Sequence, residues 1–211
     1  MLIKKLKRFG HLETIDSGSF TCLNLDSNCQ KKYPKRDFLQ IAAFDPGIVN
    51  TGCRIEKRNK NKVETISQVL IKGGGESKET HYYFRVAEKL YSLAEDLYQC
   101  DYILVESQLT TNPEACRMGQ HLISTIMGIV RGGRPLIIEI SPTVKSRAFG
   151  VYGIKGRDLK KWATEHSLHL LESRNDQVGL SLIKASKKKD DHGDVVLYCE
   201  AWAKILRDEK K

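Results

Sequence analysis

The hydrophobic period of this chain changes at Gly73-Gly74-Gly75, and that change decides its layout. Before the glycines, apolar residues come as a short run or in alternation. Phe38–Phe44 (FLQIAAF) is a run suited to a buried central strand, and it stops at the turn signal Asp45-Pro46-Gly47. Thr51–Glu56 and Val63–Ile71 alternate, with the charged turn Lys57–Lys62 between them. Short links join these three strands, so an antiparallel meander is the economical arrangement. After the glycines, Val86, Leu90, Leu93 and Leu97 recur at helical spacing and predict a helix from Thr80 to Gln99.

The later segments alternate between short strands and helices. Tyr102–Val105 is a buried strand ending at Glu106, and Pro113 opens a helix with Ala115, Met118, Leu122, Ile126 and Ile129 on one face. Leu136–Ile140 is a fifth strand that ends at Ser141-Pro142. Gly156–Leu171 follows as a helix with Leu159, Trp162 and His166 on a common face. The last helix runs from Asp190 to Arg207 with Val195, Cys199, Trp202 and Leu206 inward. The order β-β-β-α-β-α-β-α-α predicts an α/β fold, one five-stranded mixed sheet flanked by helices. Residues 1–36, ending in KKYPKR, read as a basic, poorly ordered extension, and residues 37–211 as the folded domain.

Charge narrows the partners. The 211 residues carry 35 Lys+Arg against 26 Asp+Glu, a net charge of +9 that favours an acidic partner such as nucleic acid. No apolar run is long enough for a membrane span. The six cysteines form no C-x-x-C pair, which gives a zinc ribbon little support and suits a reducing compartment. The basic, amphipathic start MLIKKLKRFG is compatible with a transit peptide, although Glu13, Asp16 and Asp26 are unusual in one. The expectation is an intracellular protein of bacterial or host cytoplasm, a viral factory or a mitochondrion.

Acids stand at comparable places in three elements. Asp45 ends the first strand, Glu106 ends the fourth, and Asp190, Asp191 and Asp194 open the final helix. Each has an ordinary explanation, since strand-end acids face water and first-turn acids suit the helix dipole. Yet Asp191 and Asp194 are three apart and Asp190 and Asp194 four apart, so either pair shares a helix face where like charges repel. A divalent cation removes that penalty. Hard oxygen donors with no paired His or Cys suit Mg²⁺ or Mn²⁺. Two such ions would support in-line phosphodiester hydrolysis. Lys145 and Lys155 are candidates for stabilising the charge on phosphorus oxygens.

These segments together resemble the RuvC-type Holliday junction resolvases of the ribonuclease H-like superfamily. FDPGIVNTG (44–52) is similar to the first motif of that family, and DYILVESQ (101–108) to the second with its strand-end Glu. NPEACRMGQHLISTIMGIV resembles the helix that follows, SPTVKSRAFGVYGIKGRDL the segment with two functional lysines, and KKDDHGDVV the last acidic motif. The Asp-Asp doublet after lysines resembles the poxvirus and mitochondrial branch, whereas Asp-Pro-Gly and the Gly-Gln helix resemble the bacterial one. His192-Gly193 stands where a small or apolar pair is usual. The resemblance implies a ribonuclease H-like fold and a homodimer that nicks two opposed strands of a four-way DNA junction. It implies metal ligation by Asp45, Glu106, Asp194 and either Asp190 or Asp191, with Asp191 favoured by the three-residue spacing. Lys145 would be catalytic, and Lys145, Arg147 and Lys155 would face DNA. His192 is expected on the surface or the DNA side. The basic clusters Lys4–Arg8, Lys31–Arg36, Lys57–Lys62 and Lys184–Lys189 are able to contact phosphates. Tyr82, Tyr83, Phe149 and Tyr152 read either as stacking platforms for an opened junction or as core.

Three other readings compete. Another ribonuclease H-like nuclease, acting on RNA–DNA hybrids or branched DNA, would share the acids and metals. A non-catalytic junction binder would lack part of the acid set. An actin-like ATPase shares the Asp-x-Gly turn but needs two lobes, for which one domain of this size is too short.

Overall fold

The computed structural model describes residues 20–23, 37–60, 62–72 and 79–208. The Lys4–Arg8 and Lys31–Arg36 clusters, the transit-like start and the triple glycine lie outside the described residues. The described chain builds six strands: β1 (Phe20–Cys22), β2 (Leu39–Asp45), β3 (Asn50–Arg58), β4 (Val63–Lys72), β5 (Tyr102–Glu106) and β6 (Leu136–Ile140). Its helices are α1 (Glu79–Ser92), α2 (Ala94–Tyr98), α3 (Pro113–Ile129), α4 (Val144–Arg147), α5 (Gly156–Ser173), α6 (Gln177–Ala185) and α7 (Lys189–Asp208).

The strands form one mixed sheet in the order β1-β6-β5-β2-β3-β4. The meander β2-β3-β4 is antiparallel, while β5 runs parallel to β2 and β6 parallel to β5. The five strands expected from hydrophobic patterning are all present. A sixth, β1, lies within the segment read as an extension and pairs antiparallel with β6. Three residues are too few to show a hydrophobic period, which is why β1 is silent in the sequence.

The central strands are buried on both faces. Ala42, Phe44, Ile103 and Val105 join Val86, Leu90, Met118 and Ile126 in one core, beneath α1 and α3. Their alternate neighbours Ile41, Ala43, Tyr102 and Leu104 join Val195, Tyr198 and Trp202 of α7 in the other. Period-two alternation across the sheet thus sorts one apolar run into two cores. In the parallel register Phe44 lies beside Val105, so Asp45 and Glu106, each one residue further, leave the sheet at the same rim.

The helices depart from expectation in three places. The helix read as Thr80–Gln99 breaks at Leu93, whose N–H bonds to Leu90 O at 3.0 Å while Ser92 Oγ donates to Lys89 O. The short α4 and α6 carry too few turns to announce a helical period. The buried face of α5 is Ala163, Ser167 and Leu171, while Leu159, Trp162 and His166 are half-buried beside it. The reason is close helix packing over small residues: a Cβ on Gly193 of α7 would lie 2.8 Å from Ser167 Oγ.

One face of β3 is polar although buried. Glu56 accepts from Arg54 Nε at 2.7 Å and Arg58 Nε at 2.5 Å, all three at 8% exposure or less. Arg58 also reaches Glu200 of α7, which Arg174 and Arg207 complete. Arg54 reaches Asp176, the N-cap of α6, at 2.8 Å. Burial opposes charge on Glu56, but Arg58 and Arg54 outweigh it and hold its carboxyl below the usual range. Removing one partner of such a group strands the others. Glu56→Gln should therefore cost about 3–5 kcal/mol in urea unfolding. A loss below about 1 kcal/mol, the range of exposed pairs, would mean that the guanidiniums do not depend on Glu56.

Candidate active site

Three elements converge at the rim. Asp45 at the end of β2, Glu106 at the end of β5 and Asp194 near the start of α7 each offer a carboxylate oxygen, all within 4.8 Å of one another. The approach of α7 depends on Gly52. Its partner across the β2–β3 ladder is Asp45, and a Cβ at position 52 would lie 2.9 Å from Asp191 O and 3.2 Å from Val195 Cγ1. A side chain there would push the first turns of α7 away from Asp45. The preceding turn is pinned as well: Tyr82 OH donates to Gly47 O at 2.8 Å and pairs with Thr51 Oγ1 at 2.8 Å. A Cβ on Gly47 would sit 2.2 Å from Asn50 O, so the turn requires glycine.

Lys145, in α4, enters this cluster from beyond β6. Its Nζ is 2.5 Å from Asp194 Oδ2 and 3.6 Å from Glu106 Oε2, and the residue is only 7% exposed. Tyr198, one turn after Asp194 in α7, donates its hydroxyl to Glu106 Oε2 and lies under Lys145 Nζ. Burial, then the charges of Glu106 and Asp194, push the Asp45 carboxyl well above the usual range. Burial raises Glu106 too, although Lys145 and Tyr198 work against it. Burial disfavours the Lys145 ammonium, but Asp194, Glu106 and Asp45 outweigh it and hold its pKa up. One buried cation among three carboxylates leaves an excess of negative charge. The three acids could hold a metal ion, and an all-oxygen donor set is hard-cation chemistry.

The other residues singled out in the sequence divide. Asp191, favoured over Asp190 in the sequence, is not one of the three acids whose oxygens lie within 4.8 Å of one another. It accepts from Asn50 Nδ2 at 3.1 Å, acts on the cluster through its charge on Asp45, and has its own carboxyl raised by burial and then by Asp190. Asp190 is turned to Lys160, 2.7 Å away, which outweighs burial and keeps its pKa low. Lys155 is the exposed N-cap of α5, and Arg147 is exposed at the end of α4. His192 is not a surface residue: it is 5% exposed, with Nδ1 3.3 Å from Gln68 Nε2 of β4. The cause is the packing of α7 on β3 and β4, which turns position 192 toward the sheet. Gln68 in turn accepts from Arg54, so the buried network behind the rim braces the turn that carries Asp191 and Asp194. Of the aromatics, Tyr82 is core and Tyr152 is 73% exposed. Tyr198 and Asn50 escaped the sequence reading. Tyr198 sits four residues after Asp194, and Asn50 lies inside the FDPGIVNTG motif, the signals that point to them.

No family model matches the chain. Over 108 residues it is 28% identical to the uncharacterized protein 97L of Invertebrate iridescent virus 3, a match that spans 51% of this chain and 50% of that protein. The fold is that of the RuvC-type Holliday junction resolvases, with their ribonuclease H-like sheet. Yeast mitochondrial Holliday junction resolvase Ydc2 matches with a TM-score of 0.61 and 15% identity, over 82% of each chain. The fowlpox virus resolvase, solved with its substrate Holliday junction DNA, gives 0.53 and 20% identity over 78% of this chain and 98% of that one. RuvC of Thermus thermophilus gives 0.52 and 14% over 78% and 95%.

The raised Asp45 carboxyl has a sign that is open to measurement. An acid whose folded pKa exceeds its unfolded one stabilises the fold below the unfolded value of about 3.9 and loses that stability as pH rises through the folded value. At neutral pH without metal, Asp45→Asn should therefore melt a few degrees higher than wild type, with ~1 kcal/mol worth about 2–4 °C. The gap should close on acidification, and Mg²⁺ or Mn²⁺ should stabilise only the wild type. An Asn variant that melts lower in EDTA would show that Asp45 is not under this strain.

Proposed function

We propose that this chain is a Mg²⁺- or Mn²⁺-dependent endonuclease that cuts four-way DNA junctions as a homodimer. The observation that carries the reading is the meeting of Asp45, Glu106 and Asp194 around Lys145 on a fold shared with junction resolvases. Asp45, Glu106 and Asp194 would hold the cations, two in number, with Asp191 at the edge of the set. Divalent ions held there would lower the pKa of water and offset charge on the leaving oxygen of a phosphodiester.

The chain's own groups do the rest. Tyr198 keeps its proton, because burial and the nearby acids push its pKa well up, and its hydrogen bond fixes the orientation of Glu106. Lys145 stays charged and supplies positive potential where a phosphoryl oxygen gains negative charge. Lys145 neutralises Asp194 before DNA arrives, so the buried cluster tolerates its own charge. Twofold symmetry would let two such sites address two like strands of a junction. Among the described residues no helix is long and apolar enough to cross a membrane. The free thiols Cys53, Cys100, Cys116 and Cys199 fit the reducing, intracellular setting we propose.

The test is a denaturing gel of four-way, three-way and linear DNA, including an RNA–DNA hybrid, with and without Mg²⁺. Wild type should nick the four-way junction in opposed strands. Asp45→Asn and Glu106→Gln should lose cleavage by ~100-fold or more yet still bind the junction in Ca²⁺. Lys145→Ala should slow the chemistry more than it weakens binding. Equal cutting of the linear hybrid would favour a different ribonuclease H-like nuclease, and wild-type nicking by either acid variant would remove the metal roles.

A further inference from the structure

Beside the acidic rim lies an open cleft of about 440 Å³ between α5 and the approach to α7. Arg157, Lys160 and Lys161 line it from the first two turns of α5, and Lys187 and Lys189 line it from the other side. Two carboxylates share the space. Glu165 stands 3.9 Å from Lys161, and Asp190 stands 2.7 Å from Lys160. Five cations facing two acids give the cleft a net positive charge that favours an anion. The side chains of Lys160 and Lys161 are 69% and 73% exposed, so no packing holds them in place.

The location gives the cleft its meaning. Asp190 is in the cleft wall and Asp194 is in the acid cluster, four residues on in the same helix, or ~6 Å along its axis. One strand of a duplex advances about 3.4 Å per phosphate. A backbone that presents one phosphate to Asp45, Glu106 and Asp194 and runs along α7 toward Asp190 brings a neighbouring phosphate to the cleft. The Lys160–Asp190 pair is a ready exchange partner. Lys160 Nζ donates to Asp190 Oδ2 at 2.7 Å, so the cleft already holds one cation–oxyanion contact of the kind a phosphate makes. A phosphate arriving at Lys160 replaces one oxyanion with another, and the five cations of the cleft outnumber the phosphate together with Asp190 and Glu165.

We infer that this cleft is a phosphate subsite for the strand being cut, one or two nucleotides from the scissile phosphate, and that Lys160 trades Asp190 for that phosphate. The inference rests on the nuclease reading above and adds to it a place for the strand. It also gives Asp190 a role outside metal ligation, as the internal anion that occupies Lys160 when DNA is absent.

The experiment uses the full chain and a four-way junction kept uncut by Ca²⁺, with binding followed by fluorescence anisotropy across a salt series. The variant carries Lys160→Gln, Lys161→Gln, Lys187→Gln and Lys189→Gln, all at exposed positions, and its melting curve confirms that it folds. It should bind about tenfold or more weakly near 0.1 M salt, with a log–log salt slope reduced by about one to two. Single methylphosphonates placed along the strand locate the subsite. Wild type should lose affinity at one or two adjacent positions on one side of the cut, and the variant should be indifferent there. Unchanged affinity, or a loss with no position at which the variant is indifferent, overturns the subsite while junction cutting by wild type leaves the nuclease reading standing. Wild type that neither binds nor cuts the junction sinks both.

Discussion

Carboxylates crowded into a poorly solvated rim repel one another, and the arrangement around Asp45, Glu106 and Asp194 answers that repulsion. Lys145 brings one buried cation between Glu106 and Asp194. Tyr198 supplies a hydrogen bond to Glu106 from within the same helix that carries Asp194. Lys145 also acts on Asp45, but burial and the charges of Glu106 and Asp194 outweigh it and push the Asp45 carboxyl well above the usual range. A charge deficit of this kind is what a divalent cation corrects.

The deficit is sustained by backbone geometry. Parallel pairing of β2 and β5 puts two strand ends side by side, and an antiparallel hairpin places Gly52 opposite Asp45. The absence of a side chain at Gly52 lets α7 descend onto the sheet. Behind the rim, Val195, Tyr198 and Trp202 anchor α7 in apolar packing. A second anchor is ionic, from Arg58 to Glu200, and a third runs from Arg54 through Gln68 to His192. Polar residues on the buried face of β3 thus tie α7 to the sheet at Glu200 and, through Gln68, at His192.

Much of this was legible in the sequence because it rests on period and position. The runs FLQIAAF and YILV announced buried strands, and the acid after each announced the rim. Lys145, just after β6, was readable as a functional candidate because of its place in the chain order. What stayed hidden depends on partners distant in sequence. His192 looks like a polar residue beside two acids, and only the packing of α7 on β4 shows that it faces Gln68. Asp190 and Asp191 are adjacent and chemically alike; Lys160 and Asn50, 30 and 141 residues away, send them in different directions. The strand β1 and the helices α4 and α6 are too short to carry a periodic signal.

The central claim is that this rim exists to gather cations, and a crystal grown with Mn²⁺ reads it directly through anomalous scattering. The account predicts an anomalous peak within bonding distance of oxygens from Asp45, Glu106 and Asp194, with the Lys145 ammonium displaced from Asp194 Oδ2 or sharing that carboxylate. Manganese bound elsewhere, with the Lys145–Asp194 pair intact and no density between the three acids, would contradict it.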